Sequence, residues 1–550
     1  MYVDISKSKQ GGKTYTRALI RESYREGKKV KHTTIANISS CSPEEIHAIK
    51  LALKYKGNLA ELIPDKGEIH EKQGLSVGAV IAFYQIAQKV GIVKALGNSR
   101  MAKLALWMSI ARIIYPKASR LEMVRLAQRH AAVDVMALDD FTEDDLYEAL
   151  DWSANNQKRI ENRMFKNRYT EKKPELFLYD VSSTYLEGSE NELSTWGYDR
   201  DKKKGKMIIV FGLLTDEEGS PIAIEVFEGN TKDTKTFKNQ IEKVKMRFGC
   251  ERVTIVGDKG MIKSKQIEDL SAAEFYYITS ITKPEIGTLI NQNAIQIELF
   301  TENICEIEYG EIRYILRRNP VRAKELEKTR NDKVRKIEDY VHDRNQYLAE
   351  HPRAVESVAK RYVEEMIEKL KVSTFLTVES NNRILTLKYD EVAYKKDSRL
   401  DGCYVIKSNV PKDKISSAII HQRYKDLANV ERAFRYMKTY LLELRPVYVW
   451  KESRTRGHVF LVMLSYSIVK YLQERWFDID IKIKEGIDEL VSINCIETTV
   501  GVVTYNMIPE PRDLGLELLN AIDVKLPPVI KCSGITVATR KKLTHERKKK

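Results

Sequence analysis

The chain has 550 residues, with 93 Lys plus Arg against 78 Asp plus Glu, for a formal net charge of +15. Hydrophobic residues make up 43%, which is ordinary for a globular protein and excludes a wholly disordered chain. No run of about 18 uncharged apolar residues occurs, which excludes a membrane-spanning helix; the best stretch, 459–472, is interrupted by Ser465, Ser467 and Lys470 and reads as a core helix. The opening residues lack an apolar h-region, so no signal peptide is expected. The six cysteines are scattered, with no CxxC and no Cys/His pair at ligand spacing. A disulfide framework and a structural zinc site are therefore not expected, and a reducing cytosol is the default. An isoelectric point of about 9.1 favours a polyanion as partner, most simply nucleic acid.

Two β-rich stretches, 15–24 and 29–38, flank Arg25-Glu26-Gly27-Lys28 and read as a basic hairpin. It is either a solubilising edge or a DNA-contacting one. Residues 75–136 carry Ala, Leu and Ile at helical spacing, with breaks near Gly97 and Pro116, and 144–168 form a further helix. At Pro174 the pattern changes to short apolar strands at 176–179, 207–214, 221–227, 252–257 and 275–280. Helices are expected at 236–247, with Asp233 or Thr234 as N-cap, and at 264–272. The order β-β-β-α-β-α-β is that of an RNase H-like core. Beyond it lie a charged helical region at 323–370 broken by Pro352, strand-like alternation at 374–394, a strand at 402–409, and long helices at 415–442 and 453–473. The basic end, 540–550, reads as a tail with non-specific phosphate affinity.

The fold class expected is thus α/β: an RNase H-like core interrupted by an insertion domain, with an N-terminal β-hairpin and a helical domain. The boundaries expected are 1–75 for the hairpin region, 76–170 for the helical domain, and 171–284 for the first part of the core. The insertion takes 285–400, the second part of the core 401–480, and the C-terminal region 481–550.

Asp180 and Asp258 each directly follow an apolar β-run. Asp is poor inside a strand, but at a strand end its carboxylate can emerge where α/β sites form. In the topology expected, the first and fourth strands are neighbours, which brings the two acids together. Close carboxylates repel unless one is protonated or a divalent cation sits between them, and a metal pair can clamp the attacking and leaving oxygens of a phosphoryl transfer. The best third acid is Glu431. It borders the apolar stripe Leu427, Val430, Phe434, Met437 and Leu441, in a second stripe with Tyr424, Arg435 and Lys438 that spans an arc of about 60°. The plain alternative is an intrahelical Glu431–Arg435 ion pair. His458, four residues after Arg454, is either a packed histidine or a DNA contact. No GxxxxGK[ST], GxSxG or HExxH occurs, so NTPase, serine hydrolase and zincin readings lack support.

These residues resemble bacterial insertion-sequence transposases of the DDE type, in the group with a Tyr-x2-Arg-x3-Glu-x6-Lys signature. Here that signature stands as Tyr424, Leu427, Glu431 and Lys438; Leu427 replaces the Arg, for which Arg423 or Arg435 are the substitutes at hand. Tyr179-Asp180-Val181-Ser182-Ser183-Thr184, Gly229-Asn230-Thr231-Lys232-Asp233 and Val256-Gly257-Asp258-Lys259-Gly260 resemble the other blocks of the family in order. The interval from Asp258 to Glu431 suits the largely β insertion the family places there, with a helical part added by 323–370. The resemblance implies Mg²⁺, with Mn²⁺ as substitute, held by Asp180, Asp258 and Glu431. It implies DNA contacts by Tyr424 and Lys438, and with less support by Arg435 and Arg445. It further implies terminal inverted repeats and target DNA as partners, a homodimer in the synaptic complex, and a cytoplasmic, nucleoid-associated protein. A base-stacking aromatic is expected, with Trp196 and Trp450 as candidates. Two other readings stay open: an RNase H-like nuclease without strand transfer, and a catalytically inactive DNA-binding regulator.

Overall fold

A computed structural model describes residues 1–10, 13–54, 56, 69–201, 203, 205–301, 303–445, 447–500 and 503–531. The basic tail at 540–550 and Cys532 lie outside them. Strands β1 (Tyr2–Gln10), β2 (Lys13–Glu26) and β3 (Lys29–Asn37) form an antiparallel sheet in that order. The expected hairpin is β2–β3, turned at Gly27 with φ +63°; β1 adds a third strand. Helix α1 (Pro43–Lys54) follows.

Strand β4 (Ile69–Ser76) leads into a helical layer: α2 (Gly78–Lys89), α3 (Ile92–Leu96), α4 (Arg100–Ile114), α5 (Arg120–Arg129), α6 (Ala132–Met136) and α7 (Glu143–Arg168). The breaks come where polar caps intercept the backbone: the Ser99 and Ser119 side chains accept from the amides of Ala102 and Glu122, and Thr142 forms a capping box with Asp145.

The central sheet has eight strands. Its core is β5 (Leu176–Tyr185), β6 (Ile208–Asp216), β7 (Pro221–Glu228), β8 (Thr254–Val256) and β9 (Tyr276–Ser280), with α8 (Asp233–Glu242) and α9 (Ser264–Ala272) as crossovers. The order β9-β8-β5-β6-β7 makes the first and fourth core strands parallel neighbours, the RNase H-like arrangement the element order predicts. After α10 (Lys283–Asn291), β10 (Cys305–Tyr309) and β11 (Ile312–Arg318) extend the sheet rather than founding a separate one, because β14 (Cys403–Ser408) bridges β11 to β9.

Between β11 and β14 stands a helical hairpin, α11 (Pro320–Glu350) and α12 (Glu356–Leu370), with a two-stranded ribbon of β12 (Leu376–Asn381) and β13 (Ile384–Tyr389) and helix α13 (Glu391–Ser398). It has its own core around Ile337, Val363, Phe375 and Leu376. The insertion is thus mainly helical. The long helix expected at 415–442 is two, α14 (Ser417–Lys425) and α15 (Leu427–Lys438). Asp426 interrupts them; its carboxylate accepts from Gln422 at 3.0 Å and Arg423 at 3.4 Å, the local competition that makes Asp a poor helix interior. Helix α16 (Glu452–Arg475) is buried along most of its length. The C-terminal elements are α17 (Ile483–Ser492), β15 (Asn494–Val500), β16 (Val503–Met507), α18 (Asp513–Ala521) and β17 (Val529–Ile530). Strand β15 pairs with β4, so residues 69–75, which the sequence assigns to the hairpin region, join the C-terminal sheet together with Ser76.

One apolar cluster runs continuously from the α2–α7 layer through α15 and α16 to one face of the central sheet, and a second fills the opposite face under α8 and α9. The helical layer and the sheet therefore share a core. Helices α16 and α7 meet at backbone contact: a Cβ on Gly457 would sit 2.1 Å from the Leu150 carbonyl oxygen. Gly457→Ala is expected to force the helices apart and destabilise the fold by about 2 kcal/mol, measured by urea unfolding. Among the described residues no helix is long and apolar enough to cross a membrane.

Candidate active site

Asp180 lies in the middle of β5, not at its end. Val181, Thr184 and Tyr185 suit a strand, and the ladder with β6 continues to Tyr185↔Ile208. Residues 182–183 carried no strand signal, which is why the sequence placed the end too early. The carboxylate tolerates this position by accepting the Val181 amide at 2.8 Å. Leu178 pairs with Val256 across the parallel β5–β8 ladder, and Asp180 and Asp258 each stand two residues beyond that pair. Asp258 is just past β8 in a tight turn, where its carbonyl accepts from the Met261 and Ile262 amides.

Glu431 is on α15, which packs over β5. Val430, Ala433, Phe434 and Met437 bury its inner side, leaving Glu431 and Arg435 exposed on the flank. No ion pair joins these two, so the intrahelical pairing that spacing alone allows is not made.

The three acids share one electrostatic neighbourhood. Burial pushes the Asp180 carboxyl up to about 7, and the charges of Asp258 and Glu431 push it the same way, against the Val181 amide and Arg200. Tyr424, at the end of α14, donates its hydroxyl to Ser280 Oγ at 2.7 Å and lies 3.4 Å from Asp258 Oδ1; burial holds the phenol up at about 12. Among the described residues no group of three His, Cys, Asp or Glu forms a ready-made metal cage. The donor set nevertheless suits a hard divalent cation, since it is all carboxylate oxygen and one member holds its proton unusually firmly.

A raised folded-state pKa has a definite consequence. Asp180 costs nothing below its unfolded value near 4 and disfavours the fold increasingly as pH rises toward 7. Without divalent cations, Asp180→Asn is therefore expected to raise Tm by a few degrees at pH 8 and leave it nearly unchanged at pH 4, measured by thermal scanning at both.

Two predicted DNA contacts are buried and bonded within the protein. Lys438 is buried, with Nζ paired to Asp201 and 3.1 Å from Ser182 Oγ. Burial lowers the Lys438 ammonium while Asp201 pulls it back up. His458 is buried too. Its Nδ1 accepts from Arg120 Nη2 at 3.1 Å, since a guanidinium can only donate, and burial holds the ring well below its usual pKa, hence neutral. Arg445 pairs with Asp201 at 2.7 Å. Arg423 is occupied by Glu217 at 2.5 Å, so of the two substitutes for the missing signature Arg, Arg435 is the exposed one. Leu427 packs against the apolar core.

Sequence reasoning missed the segment 187–201, whose Arg200 amide donates to Ser183 Oγ on β5 at 3.0 Å. Its Asp201 ties Lys438 and Arg445 together, and Arg200 pairs with Asp233. Asp233, expected as a cap, instead opens α8 behind the actual N-cap Lys232. Charged turns of this kind carry no periodicity; the only signal was the Asp199-Arg200-Asp201 run ahead of a lysine cluster. Trp196 and Trp450 are both exposed, on segments joined by the Glu192 amide donating to the Trp450 carbonyl at 3.0 Å.

Comparison with known proteins bears on this geometry. Residues 3–62 match the family model of the IS1634 family transposase N-terminal domain, and residues 171–468 match that of the transposase DDE domain. A cryo-EM structure of a piggyBac transposase synaptic complex with hairpin DNA is a distant likeness, with TM-score 0.37 and 9% identity over 75% of each chain. No curated protein matches the chain. The first family match takes in the β1–β3 sheet and the second spans β5 through most of α16, so the chain belongs to the insertion-sequence transposases of the DDE type, enzymes that cut and join DNA.

Proposed function

We propose that Asp180, Asp258 and Glu431 hold a divalent cation, Mg²⁺ with Mn²⁺ as substitute, and that the chain cuts DNA at the ends of an insertion sequence and joins the freed 3′-OH to target DNA. The observation that carries this reading is the convergence of the Asp258 and Glu431 charges on a half-buried Asp180. When bound, such a cation supplies charge to the attacking and leaving oxygens of a phosphoryl transfer. The chain's own residues do the rest by position. Strand pairing fixes Asp180 beside Asp258, and the apolar face of α15 fixes Glu431 above them. Tyr424, kept neutral and anchored on Ser280, orients Asp258. Arg435, one turn from Glu431 on the same exposed flank, meets a phosphate at the cleaved end. Tyr424, Glu431 and Lys438 are read as the family signature, with Lys438 acting through Asp201 rather than on DNA directly.

The substrates proposed are terminal inverted repeats and target DNA. They are paired by a homodimer at the nucleoid, with Trp196 or Trp450 stacking on an extruded base and the β1–β3 sheet as a DNA contact. Residues 285–400 are the insertion between the two parts of the core.

Strand joining tests the reading. A pre-cut duplex carrying the element's own end and a free 3′-OH, incubated with target DNA and Mg²⁺, is expected to give a joined product on a denaturing gel. Cleavage of uncut ends with no joining would instead favour a nuclease. Cation binding has a readout of its own: Mg²⁺ is expected to raise the wild-type Tm at pH 8 and leave that of Asp180→Asn unmoved.

A further inference from the structure

A cavity of about 780 Å³ lies between the α4–α5 corner, the end of β5 and the segment after α15, away from the three carboxylates. Arg112, Lys117, Arg120, Lys203 and Arg445 line it, with Glu443 as the one acid among its lining residues. Arg112 and Arg120 are only 7% and 8% exposed, yet among the described residues no carboxylate comes within ion-pairing distance of either. Arg112 donates to the Pro116 carbonyl. Arg120 donates to His458 Nδ1 and to Met123 Sδ, and its Nε is buried with no partner. Two buried guanidinium groups with neutral partners are an expensive arrangement unless an anion completes it. Burial lowers both, Arg112 to about 9, with the charge of Arg120 adding to the effect, and Arg120 to about 10, so both stay charged at neutral pH. A planar fork of donors is the geometry that binds phosphate.

We propose that this pocket binds a backbone phosphate of the DNA, a few nucleotides from the one held at the carboxylates. Tyr185, which lines the cavity, is five residues beyond Asp180 on the same strand, a separation of about 17 Å at the rise of an extended chain. The two sites are also linked mechanically. Arg445 in the cavity wall and Lys438 at the end of α15 share Asp201, so an anion drawn to Arg445 acts on the residue that anchors the Glu431 helix.

The test uses the full chain in EDTA with uncut duplex DNA, so that it reads the pocket whether or not the three acids hold a cation. Inorganic phosphate at constant ionic strength is expected to raise the Tm of the wild type and not that of Arg112→Gln/Arg120→Gln. For the duplex, the double variant is expected to bind about tenfold more weakly, with the salt slope of log K shallower by roughly 1. The exposed pair Lys117→Gln/Lys203→Gln, which leaves the buried core intact, is expected to weaken DNA binding several-fold in the same way and serves if the arginine variant does not fold. Equal phosphate stabilisation of wild type and variant would overturn the site. Phosphate stabilisation lost with DNA binding and its salt slope unchanged would assign the pocket to a free anion and overturn the DNA reading. Unchanged DNA binding in the lysine pair would do the same.

Discussion

Asp180→Asn, Asp258→Asn and Glu431→Gln are each expected to reduce end cleavage by roughly 10³-fold or more, while duplex binding changes by no more than a few-fold. The asymmetry has a physical source. Affinity for DNA comes from cations releasing counterions from phosphates, and none of the three substitutions removes a cation. Chemistry at phosphorus depends on charge placed where it develops, and removing one such group typically loses two to three orders of magnitude even without a metal; loss of a cation ligand acts on both the attacking and the leaving oxygen. The variants also separate the acids by environment. Asp180 is half-buried and holds its proton to about pH 7, so its Asn variant keeps the fold and gains stability at pH 8. Glu431 is on an exposed flank, so its Gln variant is expected to be neutral in stability. Cleavage products quantified on a denaturing gel, beside duplex binding by fluorescence anisotropy, check both halves. A variant that cleaves at the wild-type rate removes that residue from the site.

What the sequence made legible follows the periodicity of each element. The strands β5–β9 are apolar runs bounded by turn residues, and their order with intervening helices constrains the topology to a few arrangements, so the neighbourhood of Asp180 and Asp258 could be read before any coordinates. The place of Glu431 on the flank of the buried face of α15 was legible from the apolar stripe, while its choice as third acid came from the family resemblance. The signal failed where contacts are non-periodic and distant. Asp201 looked like one more turn acid, yet it pairs with residues 237 and 244 positions away. His458 was left between a packed and a DNA-contacting role, and Lys438 looked like a DNA contact, because nothing local shows that Arg120 reaches His458 or that Asp201 reaches the end of α15. The split at Asp426 was missed because Ile420 and Leu427 on either side of it keep helical spacing. The long charged helices of 323–370 were legible from their pattern, but not the small private core they form with the β12–β13 ribbon.

Asp201→Ala is the second large effect expected, and it acts from outside the carboxylate trio. Asp201 accepts the Lys438 ammonium on one oxygen and lies 2.7 Å from Arg445 on the other, with both side chains of the Lys438 pair only 10% exposed. Removing one member of a buried pair leaves an uncompensated charge and destabilises by about 3–5 kcal/mol. Here the lower part of that range applies, because burial already weakens the Lys438 proton and the amine can shed it. Cleavage is expected to fall as well, by roughly tenfold to a hundredfold, since the pair ties segment 187–201 to the end of the helix that carries Glu431, and small misplacements of a catalytic group are costly. The two consequences can be separated. Asp201→Ala/Lys438→Met removes both charges and replaces the ammonium with apolar volume, which is expected to restore most of the stability measured by urea unfolding. If cleavage returns with stability, the pair acts only by anchoring α15. If stability returns and cleavage does not, Lys438 itself takes part at the cleaved end, and the buried pairing of this lysine with Asp201 describes a state that rearranges when DNA is bound.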